Sequence, residues 1–257
     1  MSPVNRISEE GMPVFFIKDI PPGASAGLSV SRPQVYFGEL TDRYVVVNTQ
    51  VQEFDYPRGD ENVYTTYDGR GGIRLTPFRR LAFGYRFGDL KLLLSRDVTS
   101  RSRLLFARDV ATRVRRLAPF LAYDRDPYLV LAGGRLVWVL DAYTTTDRFP
   151  YSTPAGGINY IRNSVKVVIS AYDGSVDFYV VDPQDPIVRS FQGIFPELFK
   201  PAAAMSEEIA AHLRYPVDMF GLQARVYATF HMRDPRVYYN REDVWTIPNE
   251  LFGNETV

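Results

Sequence analysis

The middle of this chain carries runs of β-branched, aromatic and other apolar residues separated by short turn sequences. Residues 128–132, the pair Gly133-Gly134 and residues 135–143 predict a β-hairpin. Residues 164–171, the turn Tyr172-Asp173-Gly174-Ser175 and residues 176–181 predict a second, because Asp-Gly between β-branched runs favours the tight turn that joins antiparallel strands. At least four antiparallel strands are expected between 128 and 182. Upstream, the β-branched and aromatic runs 35–37 and 44–51 predict further strands. Residues 52–75 read as loop, with Pro57, Gly59, Gly69, Gly71 and Gly72 around Val63-Tyr64-Thr65-Thr66-Tyr67.

On either side of this meander the period becomes helical. Thr76-Pro77 joins an N-cap to a proline at the first helical position and predicts a helix over 77–87, ending near Gly88. Leu81, Phe83 and Phe87 are its apolar residues, mixed with Arg79, Arg80 and Arg86. Val110, Val114 and Leu117 recur at i, i+4 and i+7 in a helix over 108–118, with Arg113, Arg115 and Arg116 pointing away and Pro119 stopping it. After the meander, Asp185-Pro186 opens a short helix that ends by Pro196, and Ser206 caps another to about Arg214. Asp218 caps a longer one carrying Leu222, Val226 and Phe230, which Asp234-Pro235 ends. This order predicts an α+β fold, an antiparallel β-meander with helices before it and a helical C-terminal part. Pro3, Pro13, Pro21, Pro22 and Pro33 predict an extended N-terminal arm over 1–33. One domain over 34–250, with room for a sub-boundary near 120, and a tail over 251–257 complete the organisation.

Composition narrows the class. The 257 residues are 46% apolar and include 17 Tyr and 17 Phe, enough for a sizeable core and far from a disordered composition. Without cysteine, disulfides, Cys-ligated zinc and thiolate catalysis are excluded. The start shows no signal-peptide pattern, and no apolar run approaches the roughly 18–20 residues that span a bilayer. Thirty basic and thirty acidic residues give zero net charge, which argues against nucleic acid as a partner. The charge is unevenly spread, however. Residues 76–116 hold eleven Lys/Arg against three Asp, a net +8 that leaves −8 for the remainder. Arg79, Arg80, Arg86, Arg113, Arg115 and Arg116 are therefore candidate contacts for an anionic lipid, a cell-wall polymer or an acidic patch on a partner. Pairing of these arginines with acidic loops of their own chain is the competing expectation.

Motifs for chemistry are sparse. Gly69-Arg70-Gly71-Gly72 lacks the lysine and spacing of a phosphate loop, and no nucleophile elbow or ordered triad stands out. No cofactor and no metal are expected. The acidic loops around Asp55, Asp60 and Asp68, and Asp124-Arg125-Asp126, miss the alternating oxygen spacing of a calcium site. His231 continues the stripe Phe220, Ala224 and Tyr227, and His212 follows Ile209 by one turn, so both read as structural histidines. Asp141, Tyr143, Thr144, Asp147, Arg148 and Tyr151 form a hydroxyl- and aromatic-rich run that suits a polar ligand or carbohydrate, with Asp141 and Asp147 as the carboxylates of an alternative hydrolase. A strand end with a capped turn explains the same residues.

Several longer runs carry a resemblance. They are Arg-Pro-Gln-Val-Tyr-Phe-Gly-Glu at 32–39, Val-Asn-Thr-Gln-Val-Gln-Glu-Phe-Asp-Tyr-Pro at 47–57, Asp-Pro-Tyr-Leu-Val at 126–130 and Asp-Ala-Tyr-Thr-Thr-Thr-Asp-Arg-Phe-Pro-Tyr-Ser at 141–152. The most distinctive is His-Met-Arg-Asp-Pro-Arg-Val-Tyr-Tyr-Asn-Arg-Glu-Asp-Val-Trp at 231–245. Together these resemble the bacterial uncharacterised protein family 182, multi-pass membrane proteins of unknown function. The resemblance implies a cell-membrane parent with several N-terminal transmembrane spans, and it likens this chain to part of the soluble extracytoplasmic region. It transfers no catalytic or binding residues. The expected role is a non-catalytic one, binding a ligand or envelope component or assembling with further copies of itself, with an envelope hydrolase as the alternative.

Overall fold

In a computed structural model of the chain, the two predicted hairpins form the centre of a six-stranded sheet. Residues 29–248 and Met12 are described, with short antiparallel pairs near the ends: Val4–Ile7 with Pro13–Phe15, Ile17–Lys18 with Gly23–Ala24, and Leu251–Phe252 with Glu255–Thr256. Of the arm predicted over 1–33, the rest of residues 1–28 lies outside the described residues, as does the rest of the tail over 251–257.

The sheet runs Ala122–Tyr123, Arg135–Thr146, Tyr160–Ser170, Val176–Val180 and Phe199–Pro201, with Tyr128–Ala132 also paired to Arg135–Thr146. All pairs are antiparallel except the last, where Phe178 faces Phe199 in parallel. Gly133 and Gly134 both take positive φ, the backbone that a two-residue hairpin turn requires. Strand alternation sends Leu140, Ala142, Val165, Val167, Ile169, Phe178 and Val180 to one face. There they meet Val110 and Val114 and also Val188. Val139, Val168 and Tyr179 face the other way, against Val130, Met205, Ile209 and Leu213.

The helices follow their caps. Thr76 and Gly88 bound α1 (Pro77–Phe87), and Asp89 starts α2 (Leu90–Leu94). The carboxylate of Asp109 accepts the Thr112 amide at the start of α3 (Val110–Leu117), and Asp185 does the same for Ile187 in α4 (Pro186–Ile194). Then come α5 (Glu207–Ala210), α6 (Val217–Tyr227) and α7 (Pro235–Asn240). A small sheet of Val45–Val47, Arg103–Leu105 and Ile73–Arg74 contributes Val46 and Leu104 to an apolar cluster with Phe83, Phe87 and Leu92 of α1 and α2.

The structure corrects several local expectations. Residues 35–37 form no strand: both the Tyr36 and Phe37 amides donate to the one Ala171 carbonyl, just past the end of strand Tyr160–Ser170, and Phe37 is buried. The strand expected over 44–51 is only Val45–Val47, ended by Asn48 at positive φ. The expected loop over 52–75 contains a hairpin, Glu53–Arg58 with Glu61–Thr65, turning at Gly59. Proline and glycine density hid its alternation, and Pro57 is tolerated because this two-stranded ribbon has no further neighbour to need its amide. The Ser206-capped helix is a single turn, and the N-cap of α6 is Pro216, with Asp218 in its first turn. Asp234-Pro235 opens α7, because an Asp N-cap followed by proline satisfies the first amides of a new helix.

Contacts group the chain into two compact units, Met1–Tyr123 with Pro127–Leu213, and Asp124–Asp126 with Arg214–Val257. In the second, buried Asp124 accepts the Asp218 amide in the first turn of α6, Asp218 accepts the Arg125 amide, and Arg214 pairs with Asp126 at 2.6 Å. The Asp124-Arg125-Asp126 loop is thus a local clamp. His231 stacks on Trp245 with ring centroids 3.9 Å apart, and its Nε2 lies 3.2 Å from Asp243.

Candidate functional site

The basic segment is where sequence and structure differ most usefully. Four of its arginines are drawn partly inside and form no ion pair: they hold main-chain carbonyls, as exposed Arg79 does at 3.4 Å with Arg74 O. Arg80 donates to Leu92 O at 2.6 Å, to Val98 O at 3.2 Å and to Ser95 O, closing the C-terminal end of α2. Arg103 gathers the carbonyls of Arg70, Gly71 and Gly72 at 2.6–2.9 Å. Arg108 donates to Tyr36 O and, at 3.1 Å, to Arg43 O. Arg113, expected to point away, turns inward over the Phe37 ring, 4.7 Å from its centroid, and donates to Gly174 O at 2.7 Å. A guanidinium offers five donors in a rigid fork, so one side chain satisfies several loop carbonyls that no strand reaches. Burial lowers the pKa of both Arg108 and Arg113.

Arg79, Arg86, Lys91, Arg96, Arg101, Arg115 and Arg116 remain exposed. Among the described residues, no ion pair involves a Lys or Arg of residues 76–116. Arg86 and Arg116 are brought together, with Arg108, in a cleft of about 460 Å³ whose wall includes Tyr44, Phe87 and Thr112 and also the acidic residues Glu39, Asp42 and Asp109. Tyr44 donates to Asp89 beside it. Burial, and then that carboxylate, push the Tyr44 hydroxyl up to about 12, while the bond holds Asp89 below the usual carboxylate range. Arg79, Arg80, Arg113 and Arg115 lie outside this cleft's wall.

The second predicted set is dispersed. Asp141 is buried and paired with Lys166 from the neighbouring strand, their side chains 2% and 8% exposed, and Asn163 donates to the same carboxylate at 2.8 Å. Tyr143 is buried. Thr144 donates to Asp185, which also accepts from Ser164 at 2.6 Å and Tyr160 at 2.7 Å. Burial pushes the Asp185 carboxyl up, but the hydroxyls of Ser164, Thr144 and Tyr160 and the Ile187 amide outweigh it and hold the pKa below its ordinary value. This network pins the start of α4 to the sheet. Asp147 and Arg148 are exposed neighbours 3.7 Å apart, and Tyr151 is fully exposed at positive φ.

A further polar cleft, of about 440 Å³, went unread in the sequence. Its wall includes Arg32, Asp68, Arg70, Arg135, Tyr172 and Asp173. Arg32 and Tyr172 both bond Asp68, and these partners, Arg32 first, draw its pKa down to about 2. Such residues are far apart in sequence, and long-range contacts bring them together: the parallel bridge of Arg32 to Arg135, and the bonds of Asp68 to Arg32 and Tyr172. Also missed were the outward apolar side chains of α1 and α2. Their signal was present, since α1 carries apolar residues on two faces. Among the described residues, no group of three or more His, Cys, Asp or Glu could hold a metal ion, and no helix is long and apolar enough to cross a membrane.

Comparison with known proteins gives this geometry a family. A model described as Uncharacterised protein family (UPF0182) matches residues 1–257. Similar proteins, each described as a UPF0182 protein, include those of Pelotomaculum thermopropionicum, 54% identical over 99% of this chain, and Cupriavidus necator, 51% identical over all of it. Another, from Methanospirillum hungatei, is 47% identical over 98%. The chain spans only 28–29% of the length of these relatives and is part of a larger protein. No solved structure matches it. With the match running from end to end, the chain belongs to the uncharacterised protein family UPF0182.

Proposed function

We propose that this chain is a non-catalytic contact domain on the extracytoplasmic side of a cell-membrane protein, and that it engages an anionic component of the envelope. The observation that carries this reading is the division of labour within the basic segment. Arg80, Arg103, Arg108 and Arg113 are spent on main-chain carbonyls, whereas seven exposed cations have no acidic partner among the described residues. The resemblance to proteins with N-terminal spans supports the address, and the greater length of the relatives leaves room for those spans. Hydrolysis by Asp141 and Asp147 draws less support, because Asp141 is committed to Lys166 and Asp147 stands exposed beside Arg148.

Retention on phosphatidylglycerol-containing vesicles and on a polyglycerolphosphate polymer, each against a neutral counterpart, tests the reading. Reversal of four exposed charges (Arg79→Glu, Arg86→Glu, Arg115→Glu, Arg116→Glu) is expected to weaken retention at least about tenfold, as is raised salt. Equal retention on neutral surfaces would sink it. Labelling of Tyr151→Cys in the full-length protein by a membrane-impermeant maleimide in intact cells tests the address. Reaction only after lysis would place the domain inside.

A further inference from the structure

The α1–α2 hairpin keeps its largest apolar side chains on the outside. Phe83 and Phe87 turn inward with Leu92, whereas Phe78 (79% exposed), Leu81 (59%) and Tyr85 (89%) follow one another at i, i+3 and i+7 along the opposite face of α1. Leu90 (69%) and Leu94 (77%) are exposed on α2 as well. Exposed Arg79, Arg86, Lys91 and Arg96 accompany them. The sole acid within residues 77–96 is Asp89, already engaged by the Tyr44 hydroxyl and the Lys91 amide.

We propose that this hairpin docks on an anionic phospholipid bilayer, with Phe78, Leu81, Tyr85, Leu90 and Leu94 entering the boundary between headgroups and acyl chains. The proposal rests on the contact-domain reading above and names its partner. Large apolar side chains on one helical face with Arg and Lys beside them are what an interfacial element needs: burial in the acyl boundary for the first, anionic headgroups for the second. A second copy of the chain fits less well. A symmetric contact through this face would bring the four cations of each copy into one interface with no free carboxylate on the hairpin to compensate. The element is also rigid enough to penetrate as a unit. Arg80 ties α1 to the carbonyls at the end of α2, and Gly84 admits Leu93 so closely that an added Cβ would stand 2.5 Å from its Cδ2. Gly88, at positive φ, makes the turn between the helices.

The absence of cysteine makes the test clean. The full 257-residue chain carrying Leu94→Cys, labelled with an environment-sensitive nitrobenzoxadiazole dye, is mixed with vesicles of phosphatidylglycerol and phosphatidylcholine containing brominated acyl chains. A blue shift and bromine quenching at position 94 are expected, with neither at a control Tyr151→Cys label. Leu81→Ser with Leu94→Ser should lower vesicle affinity at least about tenfold while thermal unfolding is unchanged. Salt-sensitive binding with the label at 94 still in water would overturn the insertion and leave the contact-domain reading standing. No binding to anionic vesicles or polymer would remove both. Concentration-dependent dimerisation abolished by the Leu81/Leu94 pair would also overturn it, by giving the face to a second copy.

Discussion

The central sheet and the α1–α2 hairpin use apolar side chains and charge in opposite ways. In the sheet, strands Arg135–Thr146 and Tyr160–Ser170 bury apolar residues on both faces, and three charges drawn inside, Asp141 and Lys166 on those strands and Asp185 at the start of α4, are buried with partners. In the hairpin, one arginine is drawn in and large apolar residues stay out. Side-chain type alone therefore does not assign a side. A charge goes inside where hydrogen bonds replace its water, and an apolar residue stays outside where the core has no remaining space for it.

The largest effect should come from breaking the sheet's ion pair. Lys166→Met leaves the Asp141 carboxyl buried without its ammonium partner, and urea unfolding should show a loss of about 3–5 kcal/mol. Removing both charges, with Asp141→Leu and Lys166→Met, should recover about half of that loss, the unpaired Asn163 amide accounting for the rest. If the double variant is no better than the single one, the pair is not the coupled unit described here.

Next comes Asp185. Its folded pKa lies below that of the unfolded chain, so its contribution is present in full above the ordinary Asp range and is lost as pH falls through the folded value. Asp185→Asn should cost about 2 kcal/mol at pH 7, and the gap to wild type should narrow in unfolding curves taken toward pH 3. A gap that widens on acidification would contradict the hydroxyl network.

A smaller contrast separates the arginines within one helix. Arg113→Lys surrenders the fork over Gly174 and should cost about 1–3 kcal/mol, whereas Arg115→Lys, on the exposed face of α3, should stay within about 0.5 kcal/mol. Smallest of all is Leu81→Ser, expected within about 0.5 kcal/mol by thermal unfolding. A loss of several kcal/mol there would mean that something in this chain covers the hairpin.

Much of this architecture was legible. The Gly133-Gly134 and Asp173-Gly174 turns, and the caps Thr76-Pro77 and Asp185-Pro186, are local signals that the structure reproduces. Residues 35–37 and the hairpin over 53–65 were misread because the outcome there depends on which distant partner the backbone meets. The candidate site was half legible. A basic segment showed in the sequence, but not that Arg113 crosses to a carbonyl 61 residues away while Arg86 and Arg116 share a cleft.

By itself, the sequence determined the turns, the caps, the β-meander and the +8 segment, because each depends on residues within a turn or two of one another. Tertiary structure alone decided which arginines became backbone clamps, that Asp141 would be sealed against Lys166, and that α1 would show Phe78, Leu81 and Tyr85 to the outside. A helix with two apolar faces does not record which one finds the core. That choice falls to long-range packing, which fills one face with Leu92 and its neighbours and leaves the other exposed.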